Sequence, residues 1–157
     1  MKRKSDRISI LVSMVLTVLL FFALIFITWW LPDVVTSLID ANDNLGTRGE
    51  ITPMQRRLVL IDAYVMMGVA YLAVSLLFAL LLTVWKGAIF SARATRLLAA
   101  VSWCCYAEGV LFALLTWHFQ LALCAAVTVC FIGLCLRVVK NALEEATRIK
   151  SENDFTI

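Results

Sequence analysis

Four long apolar runs, at 8–31, 58–85, 97–117 and 119–139, constrain this chain more than any motif in it. The hydrocarbon core of a membrane is ~30 Å thick and takes about 20 helical residues to cross. Each run is long enough. The apolar residues fall in blocks, without the alternation of a half-buried strand or the rhythm of a surface helix, so a soluble core explains them poorly. Membrane-barrel strands alternate and are about 10 residues long, which excludes that architecture. Helices satisfy their own backbone groups in lipid. The expected fold is therefore all-α and integral to the membrane, a four-transmembrane-helix bundle. Composition agrees: 62% of residues are hydrophobic and 16% charged, against a usual charged share of about 25%. With the spans removed, 157 residues leave no room for a second domain, so 1–157 reads as a single four-span domain.

The basic start, Lys2, Arg3, Lys4 and Arg7, fits a signal peptide. The apolar stretch behind it is too long for one, and no small-residue cleavage site follows Trp29-Trp30-Leu31-Pro32. It reads as a retained first span. An even number of crossings puts both termini on one side. That side then holds eleven Lys/Arg, including Lys86, Arg93, Arg96, Arg137 and Lys140, against three (Arg48, Arg56, Arg57) on the other. The positive-inside rule makes this N-in, C-in. The net charge of +3 needs no nucleic acid; a basic collar at anionic headgroups accounts for it.

Trp29, Trp30, Trp117 and Phe119 fall at the expected outer interface and Trp85 at the inner one. Pro32 is expected to end the first span and open an outer loop over 32–52, with a short interfacial helix around Val34, Val35, Leu38 and Ile39 and a turn at Asn42-Asp43-Asn44-Leu45-Gly46. The acidic residues of this loop lack the order of an EF-hand, and a solvated loop is the simpler reading. Thr52-Pro53-Met54-Gln55 reads as a capping box opening the second helix, and Ser91 as the cap of the third. Spans three and four, joined near Trp117-His118-Phe119-Gln120, form a tight antiparallel hairpin. Past Val139 an apolar stripe of Ala142, Leu143, Ala146 and Ile149, with Glu144 and Arg148 spaced for an ion pair, predicts a cytoplasmic helical extension over the tail, 140–157.

Glu108 lies near the middle of the third run. A charge there costs about 2.5–3.5 kcal/mol on insertion scales. It is a candidate proton, cation or ligand site; the other reading is a carboxyl that holds neighbouring helices together. On the second helix Tyr64, Gly68, Tyr71 and Ser75 make a small-and-polar stripe expected to face protein. Tyr71, at the depth of Glu108, is the expected hydrogen-bond partner. Ser9, Ser13 and Thr17 make a similar stripe on the first helix. Asp62, near the outer end of the second helix, is either a carboxylate reaching the interface beside Arg56 and Arg57 or the mouth of a polar cavity. His118 reads as an interfacial polar residue.

The five cysteines, Cys104, Cys105, Cys124, Cys130 and Cys135, all lie within spans and read as small packing residues, with no C-x-x-C spacing. The sequence contains no H-E-x-x-H, Gly-rich phosphate loop or G-x-S-x-G. No enzymatic activity, metal or cofactor is expected.

Two segments carry a resemblance. One is Phe90-Ser91 followed by Arg96, Leu98, Val101 and Ser102-Trp103-Cys104-Cys105; the other is the terminus Lys150-Ser151-Glu152-Asn153-Asp154-Phe155-Thr156-Ile157. Together they resemble the bacterial membrane family known as domain of unknown function 2975, which has four spans, an F-S/T start before the third and a tail near E-N-D-L-T-I. Here Arg93 and Ala94 depart from the family's acid and Asn. The family has no assigned activity. Its members are often encoded beside a small Cro-type helix-turn-helix regulator. The resemblance therefore implies a bacterial inner-membrane protein acting as a regulatory or sensory partner, with the tail residues Glu152, Asn153, Asp154, Phe155 and Ile157 as the cytoplasmic contact. A tail tucked against the bundle is the other reading. The alternative function is a small transporter or envelope-resistance (immunity-type) protein using Glu108. Expected partners are the lipid bilayer, a cytoplasmic transcriptional regulator and further copies of the chain, with no direct nucleic-acid binding.

Overall fold

The computed structural model describes residues 2–44 and 51–154. It contains four helices: α1 (Lys2–Asn44), α2 (Pro53–Trp85), α3 (Ala92–Leu115) and α4 (Leu121–Asp154). All four are long and apolar enough to cross a membrane. Among the described residues there is no strand. The chain is a multi-pass helical membrane protein.

The helices run up and down in sequence order. α1 packs on α2, α2 on α3 and α3 on α4, and among the described residues α1 and α4 make no close approach. The bundle is therefore open along one side. The Arg7 guanidinium lies 5.9 Å over the Trp85 ring, joining the start of α1 to the end of α2. Arg137 of α4 lies 5.2 Å over the ring of Trp103 on α3. Both ends of the described chain lie at this terminal end, and the α1–α2 connection and the α3–α4 turn lie at the far end.

The first helix departs from expectation. α1 continues through Pro32 for another three turns, so the expected outer loop begins only after Asn44. The turn placed at Asn42–Asn44 is helical, and its remainder, 45–46, lies outside the described residues. An interior proline removes a helix hydrogen bond and costs about 3 kcal/mol. Burial offsets that cost. Leu31, Val35 and Ile39 recur one turn apart and pack with Val59 of α2, Ile39 being fully buried. Each such side chain contributes about 1.5–3 kcal/mol when buried. Val35 and Ile39 thus belong to the inward stripe of a continuing helix, not a separate interfacial one, while Val34 and Leu38 of the same segment are exposed. Arg56 of α2 joins Asp40 of α1 at 2.8 Å. Both side chains are exposed, so this pair contributes at most about 1 kcal/mol.

The expected caps are present. Thr52 Oγ1 accepts from Gln55 N at 3.4 Å, and Thr52 N donates to Gln55 Oε1 at 2.9 Å, with Pro53 in the first turn. Ser91 Oγ accepts from Ala94 N at 3.3 Å. Gly87, at φ 76°, takes the left-handed conformation that turns α2 towards α3. At the far end the Leu115 carbonyl accepts from His118 N and Phe119 N, closing the tight turn into α4.

The closest helix approach is between α3 and α4. A Cβ on Gly133 would lie 3.2 Å from Cys105 Cβ, 3.2 Å from Tyr106 Cε1 and 3.4 Å from the Ser102 carbonyl oxygen. A Cβ on Gly109 would lie 2.3 Å from Cys130 Sγ. Ser102, Cys105 and Gly109 thus face Ala126, Cys130 and Gly133. Small residues let the two backbones approach, and packing across that seam holds membrane helices together where lipid supplies no hydrophobic drive.

α4 continues past Val139 as one helix to Asp154. Its far third carries a ladder of charges: Lys140 Nζ donates to Glu144, and Arg148 reaches Glu145 at 2.7 Å and Glu152 at 3.8 Å. Glu144 was expected to meet Arg148; its bond to Lys140 follows the same four-residue spacing in the other direction.

Candidate functional site

The polar groups within the four apolar helices decide where a site can lie. Tyr71 and Glu108 do not pair as expected. The Thr28 hydroxyl donates to the Leu24 carbonyl at 2.8 Å, so its oxygen is left to accept from the Tyr71 hydroxyl at 2.9 Å. Phe21 stands edge-on to the Tyr71 ring at 5.5 Å. Tyr71 therefore ties α2 to α1, on the face away from α3. Replacing Tyr71 with phenylalanine is expected to weaken the α1–α2 contact by about 0.6 kcal/mol, and by less than 2 kcal/mol, as for other interhelical membrane hydrogen bonds. Unfolding titrations in mixed micelles, with Thr28→Val as the partner variant, will show the two changes to be non-additive.

Of the remainder of the α2 stripe, Ser75 lines a groove against Thr17, Phe21 and Phe22 of α1, whereas Tyr64 and Gly68 do not face protein. Tyr64 is 44% exposed, Gly68 and Ser75 are exposed, and nothing lies within 4 Å of a Cβ placed on Gly68. α2 meets its neighbours on both sides with Val59, Val74 and Thr83, which are buried. On α1 the stripe bonds locally: Ser13 donates to the Ser9 carbonyl and Thr17 to the Ser13 carbonyl. Of the three, only Thr17 is buried.

Glu108 meets a different residue. Asp62 of α2 lies within electrostatic range of its carboxylate across the α2–α3 contact. Asp62 Oδ2 and Glu108 Oε1 are both buried with no hydrogen-bond partner among the described residues. Asp62 does not pair with Arg56, which is joined to Asp40. It instead lines a groove of about 220 Å³ with Leu58, Val59, Leu114, Leu115 and His118. The groove runs from His118 at the far end to Asp62.

Two carboxylates within electrostatic range in low dielectric repel when both are charged. The arrangement suits a proton or a cation held between them. Next to Glu108, Gly109 faces α4 at the Cys130 contact, so the acid pair and the tightest helix seam adjoin on α3. Ser102, a turn and a half earlier, is fully buried with its hydroxyl unpaired. Among the described residues, no three His, Cys, Asp or Glu side chains are grouped to hold a metal ion.

At the other end of α4, Glu152 is exposed and belongs to the charge ladder. Asn153 and Asp154 close the helix. Phe155 and Ile157 lie outside the described residues.

Sequence reasoning named Asp62 and Glu108 separately and did not join them. The register between α2 and α3 brings them together, and only their shared polarity in apolar runs could have hinted at it. The seam was also missed, although Gly109, Ala126, Cys130 and Gly133 were legible as small residues at helical spacing.

A family model described as a protein of unknown function (DUF2975) matches residues 40–157. No curated protein and no solved structure matches the chain.

Proposed function

Because the chain belongs to the DUF2975 family, whose description assigns no activity, we propose its function from the acid pair and the helix that adjoins it. The protein is a non-enzymatic sensory or regulatory protein of the bacterial inner membrane, with both termini cytoplasmic. Asp62 and Glu108 form its responsive site. Protonation or cation capture there changes the repulsion between α2 and α3. α3 passes the change to α4 through the Gly109–Cys130 contact, and α4 carries it to the charge-laddered extension, where a cytoplasmic regulator docks.

The single observation that carries this reading is that two buried carboxylate oxygens, each without a hydrogen-bond partner among the described residues, belong to acids of α2 and α3 within electrostatic range of each other. Charge asymmetry supports the orientation: eleven of fourteen Lys/Arg lie at the terminal end or in the α2–α3 turn beside it. The test compares transcript profiles of cells carrying Glu108→Gln with those carrying a chain ending at residue 140. Both variants are expected to shift the same small set of genes. Profiles identical to wild type in both, with no DNA-binding protein recovered on the tail, contradict the reading.

One observation favours a second reading. The groove lined by Asp62 and His118 reaches the first of the two acids from the far end, as an entry to a proton- or cation-coupled transporter would. Flux in proteoliposomes that is abolished by Glu108→Gln supports transport, and unchanged flux excludes it.

A further inference from the structure

The open side of the bundle holds a larger groove of about 460 Å³ where α1 and α4 fail to meet. All four helices contribute to it at the far end, and its size falls within the range of about 300–1,000 Å³ typical of small-molecule sites. Its lining changes character along its length. Ala63, Met66, Phe112 and Ala125 form the part that lies within the spans, and Asn42, His118 and Gln120 lie at the far end. The wall between them is the outer part of α1, where Val34 is 44% and Leu38 55% exposed. These two side chains lie on the segment that continues past Trp29, Trp30 and Pro32. Leu31, Val35 and Ile39 are buried on Val59, while the exposed Val34 and Leu38 line the groove.

We propose that this groove seats one acyl chain of a phospholipid from the leaflet at the α3–α4 turn. The apolar part takes the chain, Val34 and Leu38 cover its upper methylenes, and His118 and Gln120 lie at headgroup level. The match is one of polarity: an amphiphile is apolar and polar in the same order along the same direction. The chain leaves lipid, not water, so the gain is one of packing: side chains from all four helices surround it, where lipid on the exposed faces of α1 and α4 touches one helix surface. The proposal rests on the four helices being spans and is independent of the acid pair.

The test uses the full chain in nanodiscs of phosphatidylethanolamine bearing a diazirine in one acyl chain. Photolabelling is expected to concentrate on peptides holding Met66, Phe112 and Ala125. Native mass spectrometry after extended detergent washing is expected to retain one lipid per chain. Ala125→Phe and Ala63→Phe fill the groove from opposite walls and are expected to lower retained lipid at least tenfold. Val127→Phe, on an exposed face of α4, leaves it unchanged. If one filling variant fails to fold, as judged by circular dichroism, the other and the labelling map decide. Labelling spread evenly over Val127 and Phe131, equal retention in wild type and filled variants, or cross-links joining the groove to a second copy each overturn the proposal.

Discussion

Replacing Gly133 with leucine is expected to separate α3 from α4. The space for a side chain there is bounded by the Cys105 Cβ, the edge of the Tyr106 ring and the Ser102 carbonyl oxygen, all within 3.4 Å of a Cβ. The Tyr106 ring can turn, but the Cys105 Cβ and the Ser102 carbonyl oxygen are fixed to the backbone, so the helices must move apart. Overpacking of a tight contact costs about 1–3 kcal/mol for added methylenes. Leucine adds enough of them to place the loss at the upper end or beyond. Gly109 offers the comparison. Its nearest neighbour, at 2.3 Å, is the Cys130 Sγ, the end of a side chain that can turn away; the next atoms lie at 3.5 and 3.8 Å. Gly109→Ala should therefore cost less than ~1 kcal/mol, and adding Cys130→Ala should remove that cost. Unfolding free energies in mixed micelles will rank Gly133→Leu far below Gly109→Ala, with Gly109→Ala/Cys130→Ala close to Cys130→Ala alone. Equal losses at the two glycines would place the seam elsewhere.

The second large effect is at the acids. Asp62→Asn and Glu108→Gln each remove one member of a repelling pair, so neither should destabilise the fold, and either alone should relieve the same repulsion. The double variant then gains little over the better single one. The coupling between them should be about 0.5–3 kcal/mol, the range for residues in direct interaction. Reversing one charge sharpens the test. Glu108→Lys places a cation opposite Asp62, whose Oδ2 has no other partner among the described residues, and should be tolerated. Glu108→Lys combined with Asp62→Lys should fail to accumulate in the membrane. Simple additivity across all four substitutions would mean that the acids do not meet.

Much of the fold was legible because lipid leaves few solutions for the backbone. Runs of apolar residues became helices, and Thr52, Pro53, Gln55 and Ser91 marked two starts that the structure retains. Pro32 misled because a proline is a local signal, whereas Leu31, Val35, Ile39 and Val59 make the offsetting contact between two helices. The α2 stripe misled for a related reason. Small residues permit close approach without compelling it, and Gly68 has open space where Gly133 is enclosed. Glu108 was visible as an isolated acid, yet its neighbour depended on the axial register of α2 against α3, which no periodicity reports. The tail motif was recognisable and the family it indicated is the one that matches, but its last residues, Phe155 and Ile157, lie outside the described structure.

If Asp62 and Glu108 act as one site, replacing either changes the protonation of the other. Infrared difference spectroscopy of the protein in nanodiscs, recorded across a pH step, reads it most directly through the stretching band of a protonated carboxyl. A band that Glu108→Gln removes and Asp62→Asn shifts is the predicted result. A Glu108 band that stays unchanged when Asp62 is replaced would contradict the account.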